Sequence, residues 1–507
     1  MITRRNLLGQ GLAGLAAGSI LAPSTAAASQ RFAKKKPKNV IFCVVDGMPL
    51  SCLTLSDQYQ QIVNGRRSYW ASLMEEPEVT NGLQDVRSLS SVVTDSSAAS
   101  SAWGCGRRIW NGQTNVYPDG TELATLTQLL AKAKVRCGLV TTATITHATP
   151  SGFAVNCKSR SLEGLIAERY ADANVDILLG GGNKFFSASL RPDGLDLYQR
   201  FESAGFEIVR SKKELLASKS KKILGTFNDS HVPYTVDHVN SPDLVRGVPT
   251  LAEMARVAIN ALKDSPNGFL LQIEGAKVDH GCHGNDVAAA FFDQIAFEDA
   301  VKVAIDFARE DGETLVIITA DHATGGLALN GAGSGYFDST AGLLTLAGMK
   351  CTFAPLRAAL GDKPKVSDTR DIVSEKLGIK LKEDEAKIVV DAIAEKSPYS
   401  SSLFLGGRDA TLGVIFGNYS KVTFTSQNHT SDHVMVTAFG PGAEAMHGVT
   451  KNTDFFNLIL DAWDMRHSNP EMSFEEAKKH FDQAKDLEPE LLAQYADTSP
   501  EDAYHAV

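Results

Sequence analysis

The chain of 507 residues has 22% charged and 43% hydrophobic side chains, a globular balance that excludes wholesale disorder and fibrous repeats. Its 50 Lys and Arg stand against 60 Asp and Glu, and the net charge of −10 excludes a protein that coats nucleic acid through its phosphates. Seven cysteines, an odd number with no Cys-x-x-Cys pair, exclude a disulfide framework and a thiolate zinc finger.

At the N-terminus, Arg4-Arg5 precedes a weakly apolar stretch from Leu7 to Ala22, and Ala26-Ala27-Ala28 offers a small-residue cleavage site. Residues 1–28 therefore resemble the bacterial twin-arginine export signal, and the expectation is a periplasmic or secreted protein. The stretch is too short and too polar for a membrane anchor, and no other segment approaches a span.

From Lys38 onward, apolar runs alternate with helical text. Residues 40–45 stop at Asp46, 137–140 run into Thr141, and 175–179 end at Gly180. Further along, 269–273 end at Glu274, 315–319 lead to Asp321, and 434–439 end at Gly440. Unbroken apolar strands separated by helices predict an α/β fold: a central, mostly parallel sheet covered by helices on both faces. Ligands of such sheets lie outside the strands' carboxyl ends, so Asp46, Glu274 and Asp321 are expected to be neighbours.

Between the first two of these strands, residues 89–94 read as a strand leading into the small-residue stretch Asp95-Ser96-Ser97-Ala98-Ala99. Ser96 would then sit at a helix N-terminus, where backbone N–H groups favour an anion. Asp279 and His283 stand four apart, so a helix would bring both to one ion; a further helix is expected over 287–309. Asp321-His322 lies on a turn, and His429 precedes the last strand. Four carboxylates and three imidazoles form a mixed nitrogen and oxygen donor set suited to zinc, with hard oxygen positions left for magnesium. The absence of thiolate from the set favours an open catalytic site. Helical text over 365–377 and 383–395 predicts a cap inserted at 331–424 into a catalytic domain of 38–330 and 425–465. The acidic segment 466–507 reads as helices packed on the outside, with a solvated face.

Taken together, these residues resemble the alkaline phosphatases. Val44-Val45-Asp46-Gly47-Met48 is similar to the family's first strand with its metal-bridging aspartate. Asp95-Ser96-Ser97-Ala98-Ala99 resembles the nucleophile motif, with Ser100-Ser101 replacing its usual ending. His147-Ala148-Thr149-Pro150 is similar to the magnesium-ligating segment, and Arg160, thirteen residues after His147, to the phosphate-clamping arginine. Glu274, Asp279 and His283 reproduce the family's ligand spacing, and Asp321-His322 and His429 resemble its remaining ligands. The resemblance implies one zinc on Asp279, His283 and His429, and a second on Asp46, Asp321 and His322. It places magnesium, with zinc as the alternative occupant, on Asp46, Thr149 and Glu274. It further implies hydrolysis of small phosphate monoesters through a phosphoserine on Ser96, and it leaves a homodimer open. His147 and His280 stand where one branch of the family has aspartate and lysine, which marks them as residues that tune the substrate site. Two alternatives stand beside this reading. One is a superfamily relative acting on phosphodiesters; the other is an exported metal-binding protein without catalysis.

Overall fold

The computed structural model of the chain describes residues 36–484, so the signal-like segment 1–28 and the end of the tail lie outside the described residues. Ten strands form one sheet among them: β1 (Asn39–Val45), β2 (Thr80–Asp85), β3 (Arg136–Thr144), β4 (Ile177–Gly181), β5 (Glu207–Val209), β6 (Ile223–Thr226), β7 (Phe269–Gly275), β8 (Thr314–Thr319), β9 (Val434–Phe439) and β10 (Gly448–Lys451). Their order across the sheet is β10-β2-β9-β8-β1-β7-β3-β4-β6-β5. Nine run in the same direction; β9 alone is antiparallel to both neighbours, β8 and β2.

The central strands β1, β7 and β8 are buried along their whole length. Their continuous apolar text suits a strand with a helix layer on each face. Two large apolar clusters occupy the two sides of the sheet: Ile41, Cys43 and Val45 face one, and Val40, Phe42 and Val44 the other. Alternation of side chains along the strand produces that division.

Helices α1 (Ser96–Cys105), α2 (Ala148–Ala154), α3 (Lys277–His283) and α4 (Val287–Asp311) follow the strand ends that carry the chemistry. The helices α1 and α2 cross so closely that a Cβ on Gly104 would lie 1.8 Å from the Gly152 carbonyl oxygen. Only glycines permit that approach, and Ser100 Oγ, midway along α1, donates to the Thr149 carbonyl at 2.6 Å.

One expected strand is absent. Residues 89–94 form bends rather than a strand. Side chains there satisfy the backbone instead: Ser88 Oγ accepts from Ser91 N–H, and Asn111 Nδ2 donates to the Val93 carbonyl. Serine-rich text competes with ladder hydrogen bonds in this way.

Between β8 and β9, α5 (Val366–Leu377) and α6 (Glu383–Ile393) match the helical text and pack against each other. The tail is described as far as α7 (Phe474–Ala484). Among the described residues no helix is long and apolar enough to cross a membrane.

Candidate active site

Because β1 lies between β7 and β8, the carboxylates that end these strands converge: Asp46 after β1, Glu274 as the next-to-last residue of β7, Asp321 just beyond β8. All three are fully buried. Gly47 makes the convergence tight. Its φ is +64°, and a Cβ there would lie 2.1 Å from Asp279 Oδ1, so only glycine lets the end of β1 pass α3. Its N–H donates to Asp321 Oδ1 at 2.9 Å.

The imidazoles are oriented by their Nδ1 atoms. His429 Nδ1 meets the Thr94 carbonyl at 2.8 Å, and His283 Nδ1 meets the Gln427 carbonyl. A carbonyl can only accept, so both rings carry their proton on Nδ1 and aim the Nε2 lone pair into the site. Thr324 donates its hydroxyl proton to Asp279, and its oxygen, 3.3 Å from His322 Nδ1, accepts from that ring in turn. Three Nε2 atoms therefore face the carboxylates. His283 Nε2 is 3.3 Å from Asp279 Oδ2 and 3.0 Å from His429 Nε2, and His429 Nε2 is 3.8 Å from Asp279 Oδ1. His322 Nε2 is 3.1 Å from Asp321 Oδ2 and 3.6 Å from Asp46 Oδ1. It also belongs to a group with Asp279 and His429 whose donor atoms lie within 4.8 Å of one another.

A further group with the same spread of donor atoms joins Asp46, His147 and Glu274. Thr141 donates a hydrogen bond to Glu274, and the Thr149 hydroxyl also favours its charged form. Burial nevertheless pushes the Glu274 carboxyl up to about 8. Burial, and then the charges of Asp321, Asp279 and Glu274, push Asp46 well above the usual carboxylate range. Asp279 and Asp321 are equally buried, but their histidine partners hold both below the ordinary value. His322 shows the converse: burial works against its proton, and the Asp321 carboxylate holds it above the ordinary imidazole value. His429 is held down to about 3, by burial and then by the charge on His322. Both carboxylate oxygens of Asp46 are buried without a hydrogen-bond donor. Acidic oxygens left in this state call for cations.

Ser96 is the first residue of α1, capped by Asp95, whose Oδ1 accepts from Ala98 N–H at 2.9 Å. The buried Ser96 Oγ lies 3.2 Å from His322 Nε2, which places the hydroxyl at the Asp46, Asp321, His322 group. Arg160 is buried beside it. Its Nη1 donates to Asp95 Oδ2 at 3.2 Å and its Nη2 lies 3.2 Å from His147 Nε2. Burial opposes the guanidinium charge, yet Asp95 and Asp46 hold its pKa above the ordinary value. His280 stacks edge-on against His147, with ring centroids 5.7 Å apart. Every residue singled out from the sequence thus lies in one buried region at the strand ends.

Four contributors escaped the sequence reading. Asp95 tethers Arg160, Thr324 bridges Asp279 and His322, and Gln427 sets the His283 ring. The fourth is His231, whose ring lies 4.6 Å from His280 and 5.9 Å from His147 and whose Nδ1 accepts from Thr144 N–H. Asp95 stands inside the quoted nucleophile motif, although nothing in the motif shows its tie to Arg160, and Thr324 follows Asp321-His322 closely; Gln427 and His231 carry no local signal.

Comparison with known proteins agrees with this geometry. The alkaline phosphatase family model matches residues 37–465. Alkaline phosphatase 3 of Bacillus subtilis is 30% identical over 463 residues, spanning 89% of this chain and 95% of that protein. Streptomycin-6-phosphate phosphatase of Streptomyces griseus is 30% identical over 347 residues, 60% of this chain and 77% of that protein. The crystal structure of Thermus thermophilus alkaline phosphatase superposes with a TM-score of 0.84 at 33% identity, covering 91% of this chain and all of that one. A family match over most of the chain, joined by a relative at 30% identity covered almost end to end, shows that the chain belongs to the alkaline phosphatase family of metal-dependent phosphatases acting on small phosphate esters.

Proposed function

We propose that the protein is an exported phosphate monoesterase that passes the phosphoryl group through Ser96. The observation that carries this reading is the donor set around Ser96 Oγ: three imidazoles committed to Nδ1–H, with their Nε2 atoms turned toward buried carboxylates, and Asp46 among those acids with neither oxygen hydrogen-bonded. Nitrogen and oxygen donors without thiolate fit zinc, and the more oxygen-rich group fits magnesium. Asp279, His283 and His429 would hold one zinc and Asp46, Asp321 and His322 the other; Asp46, Thr149 and Glu274 would hold magnesium, with zinc as the alternative occupant. Bound there, the cations supply Lewis-acid stabilisation of charge on the attacking and leaving oxygens.

The chain's own residues do the rest. Ser96 Oγ bonds to phosphorus as the ester oxygen leaves, and water then replaces Ser96 on phosphorus. Arg160, pinned by Asp95 and His147, presents its remaining N–H groups to two non-bridging oxygens, a fork that lysine cannot offer. A diester has an ester group where the second free oxygen would be. We read His147 and His280 as tuning residues, because a neutral imidazole holds product phosphate less tightly than a lysine does. His280→Lys should then lower the phosphate inhibition constant, and an unchanged constant would remove that role. Export rests on residues 1–28, which resemble a twin-arginine signal.

The test is a parallel comparison of aryl phosphate mono- and diesters and an aryl sulfate, with metal content measured on the same sample. The expected result is a clear monoester preference with about two zinc and one magnesium per chain. Diester rates equal to or above monoester rates would overturn the reading. Arg160→Ala should weaken phosphate inhibition by about 1.5–3 kcal/mol and slow monoesters much more than diesters. Equal losses on both substrate classes would make Arg160 structural.

A further inference from the structure

The phosphate clamp is held from behind by a turn at residues 110–113. Gly112 N–H donates to Asp95 Oδ2 at 2.9 Å, the same oxygen that receives Arg160 Nη1. The Gly112 carbonyl accepts from Arg160 N–H at 2.8 Å. Gln113 accepts from Ser97 Oγ at 2.6 Å, and Asn111 Oδ1 receives Asp95 N–H at 3.4 Å. Both ends of Arg160, and the residues on either side of Ser96, are thus referred to one turn. Its own outer anchor is Trp110, part-buried with the tail in place.

The other side of that ring is covered by the tail. Trp110 stacks on Phe474 and on Phe481 of α7, with centroids 5.9 and 4.8 Å apart and planes 14° and 26° from parallel. The chain leading into α7 is tied to the same region. Asn469 donates to the carbonyls of Cys105 and Ala124, Arg107 donates to the Asn469 carbonyl, and Tyr117 donates to that of Pro470. Met472 packs on the small cluster that includes Ala98 of α1. The tail residues in these contacts lie beyond the region matched by the family model, which ends at residue 465.

We propose that residues 469–484 are a positioning element for the phosphate clamp, acting through the stack of Phe474 and Phe481 on Trp110. The proposal rests on the reading of Arg160 as that clamp. Hydrogen bonds fix the turn along its length, and the aromatic stack covers the Trp110 ring at its outer end. Loss of the stack lets Asp95 and Arg160 shift together, and small misplacement of an oriented group is costly.

The experiment uses the full chain and three variants: Trp110→Ala, Phe474→Ala with Phe481→Ala, and Trp110→Phe. The readouts are the inorganic phosphate inhibition constant, KM and kcat, none but the last depending on how much of the sample is folded. The expected result is a phosphate inhibition constant and KM raised about three- to tenfold in the first two variants, with kcat changed less, and near-native values in Trp110→Phe. In an Arg160→Ala background, Trp110→Ala should add nothing further to the inhibition constant. The paired phenylalanine variant carries the test if Trp110→Ala fails to fold, because Phe474 is 42% exposed. If Arg160→Ala weakens phosphate inhibition while the stack variants do not, or if the two effects simply add, the positioning role is overturned. If Arg160→Ala itself leaves phosphate inhibition unchanged, the clamp reading falls and this proposal falls with it.

Discussion

Ser96→Ala should lower monoester turnover by at least about 10³-fold, the scale on which losing a covalent nucleophile is felt. It should leave the fold, the metal content and phosphate binding near their native values. Ser96 opens α1 after a good cap, and alanine is well tolerated at that helical position. The hydroxyl makes its hydrogen bond to His322 Nε2, at 3.2 Å, rather than to one of the buried carboxylates. The buried acids therefore keep their partners when it is removed. Acid quenching of the native enzyme with labelled substrate should trap label on Ser96, and the alanine variant should trap none. Turnover within about tenfold of native would show that water attacks phosphorus directly, and Ser96 would then be a helix-starting residue and nothing more.

That prediction was available from the sequence because its ingredients are local. The strands β1, β7 and β8 are unbroken apolar runs, and each delivers its carboxylate within two residues of its end. Asp279 and His283 could be joined because i and i+4 face the same way on a helix, and α3 is one. Other features depend on partners far along the chain. The reversal of β9 is invisible in its residues, since a buried antiparallel strand and a parallel one read alike. The tautomers of His283 and His429 are set by the carbonyls of Gln427 and Thr94, 144 and 335 residues away. No spacing rule reaches that distance. The segment 89–94 reads as a strand but forms bends, because Ser88 and Ser90 accept from nearby backbone N–H groups and Asn111 takes the Val93 carbonyl in place of a ladder. Trp110 gave no signal at all: its neighbours on α7 lie more than 360 residues on.

Stripping the metals with a chelator should abolish turnover, and it should also make stability fall as pH rises from about 6.5 to 9. The sign follows from the groups that titrate in the metal-free site. Glu274, raised to about 8, and Asp46, raised well above its ordinary range, bind protons more tightly folded than unfolded. Their contribution is present at low pH and is lost as pH climbs toward the folded values. His322, also raised, contributes stability below its unfolded value that is lost as pH passes the folded one. His429 runs the other way, because its pKa is depressed to about 3; its effect is complete once pH exceeds the unfolded value near 6.5. Asp279 and Asp321, both lowered, are fully ionised throughout this window. Above pH 6.5 the remaining terms therefore share one direction, and Glu274 alone accounts for about 2 kcal/mol between 6.5 and 8. Asp286 and Asp293, raised to about 7 by burial, titrate in both forms and cancel in the difference. Bound cations remove the penalty by holding the acids ionised. Thermal unfolding of loaded and stripped protein from pH 6.5 to 9 should show a gap in Tm that widens with pH, and a constant or narrowing gap would mean that these acids are not the cation donors.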